Sequence, residues 1–159
     1  MTFKTADLYD AHGDQLSVVA PIFRSYGKRS AFSGEIVTLK CFEDNKSVRD
    51  VLGRDGRGKV LVIDGGGSLR TALVGDLIAR LAVDQGWAGM VVYGCIRDSV
   101  EINTLNIGIR ALATNPTRPV KKVDGQADIP VSFGGVTFRP GQFLYADEDG
   151  IVVSPQPLG

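Results

Sequence analysis

Two unbroken apolar runs organise the chain, Lys59-Val-Leu-Val-Ile-Asp64 and Gly89-Met-Val-Val-Tyr93. Neither alternates polar with apolar, as expected of strands covered on both faces. Between them Leu73, Leu77, Ile78, Leu81 and Ala82 fall at helical spacing. The pattern predicts a helix over Ala72 to Gln85, with Gly86 as its stop. Strand, helix and strand predict a right-handed βαβ unit over 59–93. Upstream, Glu35 to Phe42 alternates and is β-branched, so it predicts a strand. Ser47 to Leu52 predicts a short helix closed by Gly53, and Thr5 is the expected cap of a helix over Ala6 to Ala11 that Gly13 ends. Downstream the period changes. Ile107 to Ala113, Ile129 to Phe133, Val136 to Phe138, Phe143 to Ala146 and Ile151 to Val153 read as short strands. Gly134-Gly135, Pro140-Gly141 and Asp149-Gly150 separate the later ones. The expected fold class is α/β with a β-rich C-terminal third, layered as sheet, sheet and helix.

Composition narrows the function. A length of 159 residues predicts a single domain, 1–159. Eighteen basic side chains balance eighteen acidic ones, which removes the electrostatic case for direct nucleic-acid binding or a membrane surface. No apolar stretch is long enough to span a bilayer. Met1 to Asp14 lacks the apolar core of a signal peptide, so the expected location is the cytoplasm. Cys41 and Cys95 form no Cys-x-x-Cys and are expected as reduced core residues on strands. One histidine, His12, without a ligand cluster argues against structural zinc, and it lies away from any nucleophile motif. Gly65-Gly-Gly-Ser68 lacks the Gly-Lys-Ser/Thr ending of a phosphate loop. Asp147-Glu-Asp-Gly150 reads as a hairpin turn rather than a calcium loop. Lys121-Lys122 with Arg118 reads as a solvated face, and Trp87 as packing where the helix ends.

Two places on the βαβ unit carry chemistry. The helix start, Leu73-Val-Gly-Asp-Leu-Ile78, presents unpaired backbone N–H groups and a positive dipole end, which suits a carboxylate or phosphate. Gly75 lets an anion approach the backbone. The plainer reading makes Gly75 a packing residue and Asp76 a favourable first-turn charge. The second place is Arg97-Asp98, beyond the strand 89–93, where α/β folds collect ligands. Arg97 offers forked N–H groups to a carboxylate or enolate oxygen. Asp98 offers an oxygen ligand to a hard divalent ion such as Mg²⁺. Here the plainer reading is a surface ion pair opening a short helix at Ser99. Twenty residues separate Asp76 from Arg97, room for one helix and one strand, so both places can fall on one sheet edge. A metal-chelated α-keto acid fits such a site.

These residues also carry a resemblance. Asp76, twenty residues and then Arg97-Asp98 match the signature of the family of the regulator of ribonuclease E activity A and the class II 4-hydroxy-4-methyl-2-oxoglutarate aldolases. Flanking stretches extend the likeness over nearly the whole chain: 34–44, 60–68, 91–98, 133–138 and 144–147. The resemblance implies a swivelling β/β/α-type fold and a homotrimer, sometimes stacked into a hexamer, with sites at subunit clefts. It implies a Mg²⁺- or Mn²⁺-dependent lyase that cleaves 4-hydroxy-4-methyl-2-oxoglutarate to two pyruvates. The same site would decarboxylate oxaloacetate through a metal-stabilised pyruvate enolate. By position, it implies that Arg97 and the backbone of Gly75, Asp76, Leu77 and Ile78 bind substrate. Asp98 would hold the metal. Asp76 would hold a metal-bound water, the expected proton shuttle for the C4 hydroxyl, and would share catalysis with Arg97. Longer aldolases of the family bring an acidic residue into a neighbour's site from a C-terminal extension, whereas this sequence stops at Gly159 and leaves the general base unassigned. Some short members lack the Arg-Asp pair and act as regulators that bind ribonuclease E. Retention of the pair favours catalysis, with direct binding to ribonuclease E as the other role.

Overall fold

In the computed structural model, which describes residues 2–120 and 123–158, the two apolar runs become neighbouring parallel strands. The N-terminal elements are α1 (Thr5–His12), a 3₁₀ turn (Gly13–Gln15), β1 (Ser17–Val18), β2 (Arg24–Tyr26), β3 (Phe32–Lys40) and α2 (Lys46–Leu52). The central ones are β4 (Lys59–Asp64), β5 (Ala72–Val74), α3 (Asp76–Asp84), β6 (Gly89–Ile96), α4 (Ser99–Ile102) and β7 (Gly108–Thr114). The last are β8 (Gln126–Ala127), β9 (Val131–Phe133), β10 (Val136–Phe138), β11 (Phe143–Asp147) and β12 (Gly150–Ser154).

One sheet runs in the order β1-β12-β11-β3-β4-β6-β7-β2, with β5 added beside β6 and β8 beside β3. Its centre, β3-β4-β6-β7, is parallel. The flanks β11, β12, β1 and β2 are antiparallel. The unbroken apolar runs follow from this position. Leu61, Ile63, Met90 and Val92 face a core that includes Val48, Val51 and Leu52 of α2 and Ile78, Ala79 and Ala82 of α3. Val60, Val62 and Val91 face the opposite way, onto Val131, Phe133, Val136 and Phe138 of the β9-β10 hairpin. Helices on one face and a hairpin on the other make the mixed α/β layering that the pattern predicts. A third cluster, Tyr145, Val152 and Leu158, seats Phe3 and Leu8 at the N-terminal end.

Several expectations need correction. Residues 72–74 are not helical. They form β5, which lies parallel to β6 with Ala72 opposite Cys95 and Val74 opposite Ile96, and the Ala72 N–H donates to the Thr117 carbonyl at 2.8 Å. The helix therefore starts at Asp76, and Leu73 shares its spacing by coincidence. The strand after α3 reaches Ile96, three residues beyond Tyr93. Thr5 does not cap α1. It is the first helical residue, and its hydroxyl donates to Asp147 at 2.6 Å. Cys41 is buried and free but lies one residue past β3, whereas Cys95 lies on β6. Trp87 is buried beyond α3, and its indole N–H donates to the Leu52 carbonyl at 3.1 Å, tying the ends of α2 and α3 together. Among the described residues no helix is long and apolar enough to cross a membrane.

Candidate active site at the start of α3

The site forms where β6 ends. The Arg97 N–H still donates to the Val74 carbonyl of β5 at 2.9 Å, so the chain stays beside β5 for one more residue. Asp98 then takes a left-handed conformation (φ 59°, ψ 41°), which Asp tolerates better than most residues. It ends the extended chain and opens α4. The turn carries its carboxylate back to α3, where Asp98 Oδ2 accepts the Asp76 N–H at 3.0 Å. Gly75, the residue that precedes α3, has no side chain with which to cap it, so Asp98 caps the helix from another element.

Gly75 is required here by space rather than by conformation, since its φ of −115° suits any residue. A Cβ on Gly75 would stand 2.8 Å from Asp98 Oδ2 and 3.5 Å from Arg97 Nε. Both side chains thus lie against its bare Cα. The Arg97 guanidinium has a backbone partner, the Pro116 carbonyl, to which Nη1 donates at 3.3 Å. Each member of the dipeptide therefore turns to a partner on another segment. The half-buried Asp76 carboxylate lies 4.0 Å from Arg80 Nη2 one turn along, an i,i+4 pair worth a few tenths of a kcal/mol.

The backbone donors divide as follows. The first intrahelical bond runs from the Ala79 N–H to the Gly75 carbonyl at 3.0 Å. Asp98 takes the Asp76 N–H. The N–H groups of Leu77 and Ile78, in the first turn, have no acceptor within the helix. Leu77 turns its side chain to solvent, at 74% exposure, while Ile78 is buried at 4% and anchors the turn. Of the four backbone positions expected to hold an anion, Gly75 provides clearance, Asp76 binds Asp98, and Leu77 and Ile78 provide donors.

A divalent ion has a partial donor set here. Among the described residues no group of three or more His, Cys, Asp and Glu side chains converges. A carboxylate offers about four lone-pair positions, so one N–H on Asp98 Oδ2 leaves capacity for a cation. This fits an ion that keeps most of its waters, as Mg²⁺ does, and does not fit tetrahedral zinc.

The remaining expectations sort clearly. A Cβ at Gly65 or Gly66 would meet the Leu73 or Phe42 side chain at 2.6 and 2.7 Å, so side chains already pack against the glycine run. His12 ends α1. Arg118 is exposed, and the Lys121-Lys122 part of the basic cluster lies outside the described residues. Sequence reasoning missed Asp147, read only as part of a turn. It is buried, and it accepts the Thr5 N–H at 2.7 Å, the Thr5 hydroxyl at 2.6 Å and the Asp149 N–H at 2.9 Å. Burial pushes its carboxyl up, but these hydrogen bonds and one from Gly150 outweigh burial and hold it below the usual carboxylate range. The Pro116 carbonyl on Arg97 was also missed; the Asn-Pro dipeptide before it is the turn signal that marks it.

The model of the RraA-like family, described as Aldolase/RraA, matches residues 5–153. A protein of Dechloromonas aromatica (strain RCB), provisionally named a 4-hydroxy-4-methyl-2-oxoglutarate aldolase, is 60% identical over 162 residues, covering 99% of each chain. The structure of the RNA-processing inhibitor RraA from Thermus thermophilis superposes with a TM-score of 0.96 at 45% identity, over 100% of this chain and 96% of that one. A Geobacillus kaustophilus HTA426 structure named S-adenosylmethionine:2-dimethylmenaquinone methyltransferase superposes with a TM-score of 0.96 at 47% identity, over 98% of this chain and 97% of that one. The names differ while fold and sequence agree, and the chain belongs to the RraA-like (Aldolase/RraA) family.

Proposed function

We propose that this chain is a divalent-metal-dependent lyase for small 2-oxo acids, cleaving 4-hydroxy-4-methyl-2-oxoglutarate to two pyruvates and decarboxylating oxaloacetate. The observation that carries this reading is the cradle at Gly75, where Asp98 Oδ2 and Arg97 Nε lie 2.8 and 3.5 Å from the position a Cβ would take, beside the start of α3. The name of the Dechloromonas relative supports the aldol half.

The Leu77 and Ile78 N–H groups hold the substrate's C1 carboxylate at the positive end of α3. The Arg97 fork reaches the C2 oxygen, where charge collects as the bond beyond C3 breaks. Asp98 would hold a Mg²⁺ or Mn²⁺ ion, which would supply Lewis-acid chemistry to the bound oxo acid. In cleavage the C4 hydroxyl loses its proton and the C3–C4 bond breaks. Its electron pair becomes the enolate of one pyruvate, which takes a proton at C3, and C4 becomes the ketone of the other. In decarboxylation the same bond releases CO₂ and no base is needed. Asp76, the first residue of α3, is the carboxylate for passing the hydroxyl proton through water. The proposal extends to one domain over 1–159, assembled as a homotrimer or hexamer in the cytoplasm.

The test is pyruvate release from each substrate. Turnover is expected with Mg²⁺ or Mn²⁺ and is expected to stop in EDTA. Absence of pyruvate from both substrates with either metal refutes the reading. A second reading rests on the likeness to the Thermus inhibitor: direct binding of ribonuclease E, unaffected by EDTA or by Asp98→Ala. A pull-down without association at micromolar concentration would refute it.

A further inference from the structure

We infer that Asn115 is a positioning residue for Arg97, acting through the Pro116 carbonyl; the inference rests on the lyase reading above. β7 ends at Thr114, and the next three residues form a clamped turn. The Asn115 N–H donates to the Ile96 carbonyl at 2.9 Å, keeping the segment beside the end of β6. Asn115 Oδ1 accepts the Thr117 N–H at 2.8 Å, closing an Asx turn around Pro116. Asn115 Nδ2 donates to the Leu69 carbonyl at 2.6 Å, and the Thr117 carbonyl accepts the Ala72 N–H at 2.8 Å. The turn is therefore tied to β6, to β5 and to the loop before β5.

Pro116 has a fixed φ, and Thr117 is held at both its N–H and its carbonyl, so the turn sets where the Pro116 carbonyl points. That carbonyl accepts Arg97 Nη1 at 3.3 Å. The tether holds the guanidinium by one end and does not engage the Nε–Nη2 edge, the edge whose Nε lies 3.5 Å from the Cβ position of Gly75. An oxo acid at the start of α3 then meets a fork that is already oriented. A flexible arginine would instead have to be ordered during binding. Asn115 touches no substrate in this scheme; its side chain holds both sides of the turn.

The test is a double-mutant cycle on the full chain. It reads kcat/KM for oxaloacetate decarboxylation and, by calorimetry, the affinity for oxalate, a planar mimic of the pyruvate enolate. Loss of the two side-chain hydrogen bonds that hold the turn predicts that Asn115→Ala lowers kcat/KM and oxalate affinity about tenfold. In an Arg97→Ala background the same change is expected to alter oxalate affinity less than about twofold, because its target is gone. Asn115→Ser keeps an acceptor for the Thr117 N–H and is expected to lose only about threefold. If Asn115→Ala fails to fold, the cycle runs with Asn115→Ser. Additive losses, or a parental affinity for oxalate in Asn115→Ala, overturn the inference while leaving the lyase reading intact. A parent chain that neither releases pyruvate nor binds oxalate overturns both.

Discussion

Asp98 and Asp147 do the same thing in two regions and end up with different uses. Each accepts the N–H of the first residue of a helix whose preceding residue makes no side-chain cap: Asp98 for α3 at 3.0 Å and Asp147 for α1 at 2.7 Å. Asp147 is buried, and it also takes the Thr5 hydroxyl and the N–H groups of Asp149 and Gly150. Its capacity is spent on the protein, and it fastens α1 to the β11-β12 hairpin. Asp98 is exposed and stands at a glycine that keeps space open, with Arg97 alongside. What separates a structural carboxylate from a candidate catalytic one is thus how much of its bonding the fold consumes.

The comparison can be sharpened from its catalytic end. Arg97→Ala removes the charged fork and is expected to lower kcat/KM for oxaloacetate at least about 10²-fold, with an unfolding midpoint close to the parent's. A steady-state assay beside a thermal melt checks this. Gly75→Ala places a methyl 2.8 Å from Asp98 Oδ2 and displaces the carboxylate. Activity is expected to fall roughly 10–100-fold, since small misplacements near reacting groups cost on that order, while circular dichroism stays parental. An activity within twofold of the parent would mean that the cradle is not the site.

On the structural side, Thr5→Ala deletes the hydroxyl on Asp147 and is expected to cost about 1 kcal/mol of stability in urea titration, with parental kcat/KM. The smallest effect is in pH. The Asp147 carboxyl is held low in the fold, so its contribution is complete above the ordinary carboxylate value and is lost as pH falls through the folded one. The stability gap between the parent and Asp147→Asn should therefore be constant near neutrality and narrow below about pH 4. A gap independent of pH would remove the carboxylate from this account.

Legibility in the sequence followed locality. The β4 and β6 runs could be read because burial on both faces leaves a continuous apolar signature. The body of α3 could be read from its apolar spacing, but its start was placed at Ala72 rather than at Asp76. The strand Ala72–Val74 could not, because three residues are too few to show alternation and Leu73 mimics helical spacing. Arg97-Asp98 was recognised as a pair, but not the left-handed turn that sends Asp98 back to cap α3, since nothing local records a partner 22 residues away. Asp147 looked like a turn residue because its partner Thr5 is 142 residues distant. Asn115 drew no reading, because its hydrogen-bond partners Leu69 and Ile96 lie on other segments of the chain.

The central claim is that the same backbone-capping carboxylate serves chemistry at α3 and structure at α1. The direct measurement is kcat/KM for Mg²⁺-dependent pyruvate release together with the unfolding free energy, in Asp98→Asn and Asp147→Asn side by side. Asp98→Asn is expected to lose at least about 10²-fold in kcat/KM and under about 1 kcal/mol in stability. Asp147→Asn is expected to lose about 2–3 kcal/mol and to retain parental kcat/KM in its folded fraction. Parental turnover in Asp98→Asn, or equal losses of stability in the two variants, would contradict the account.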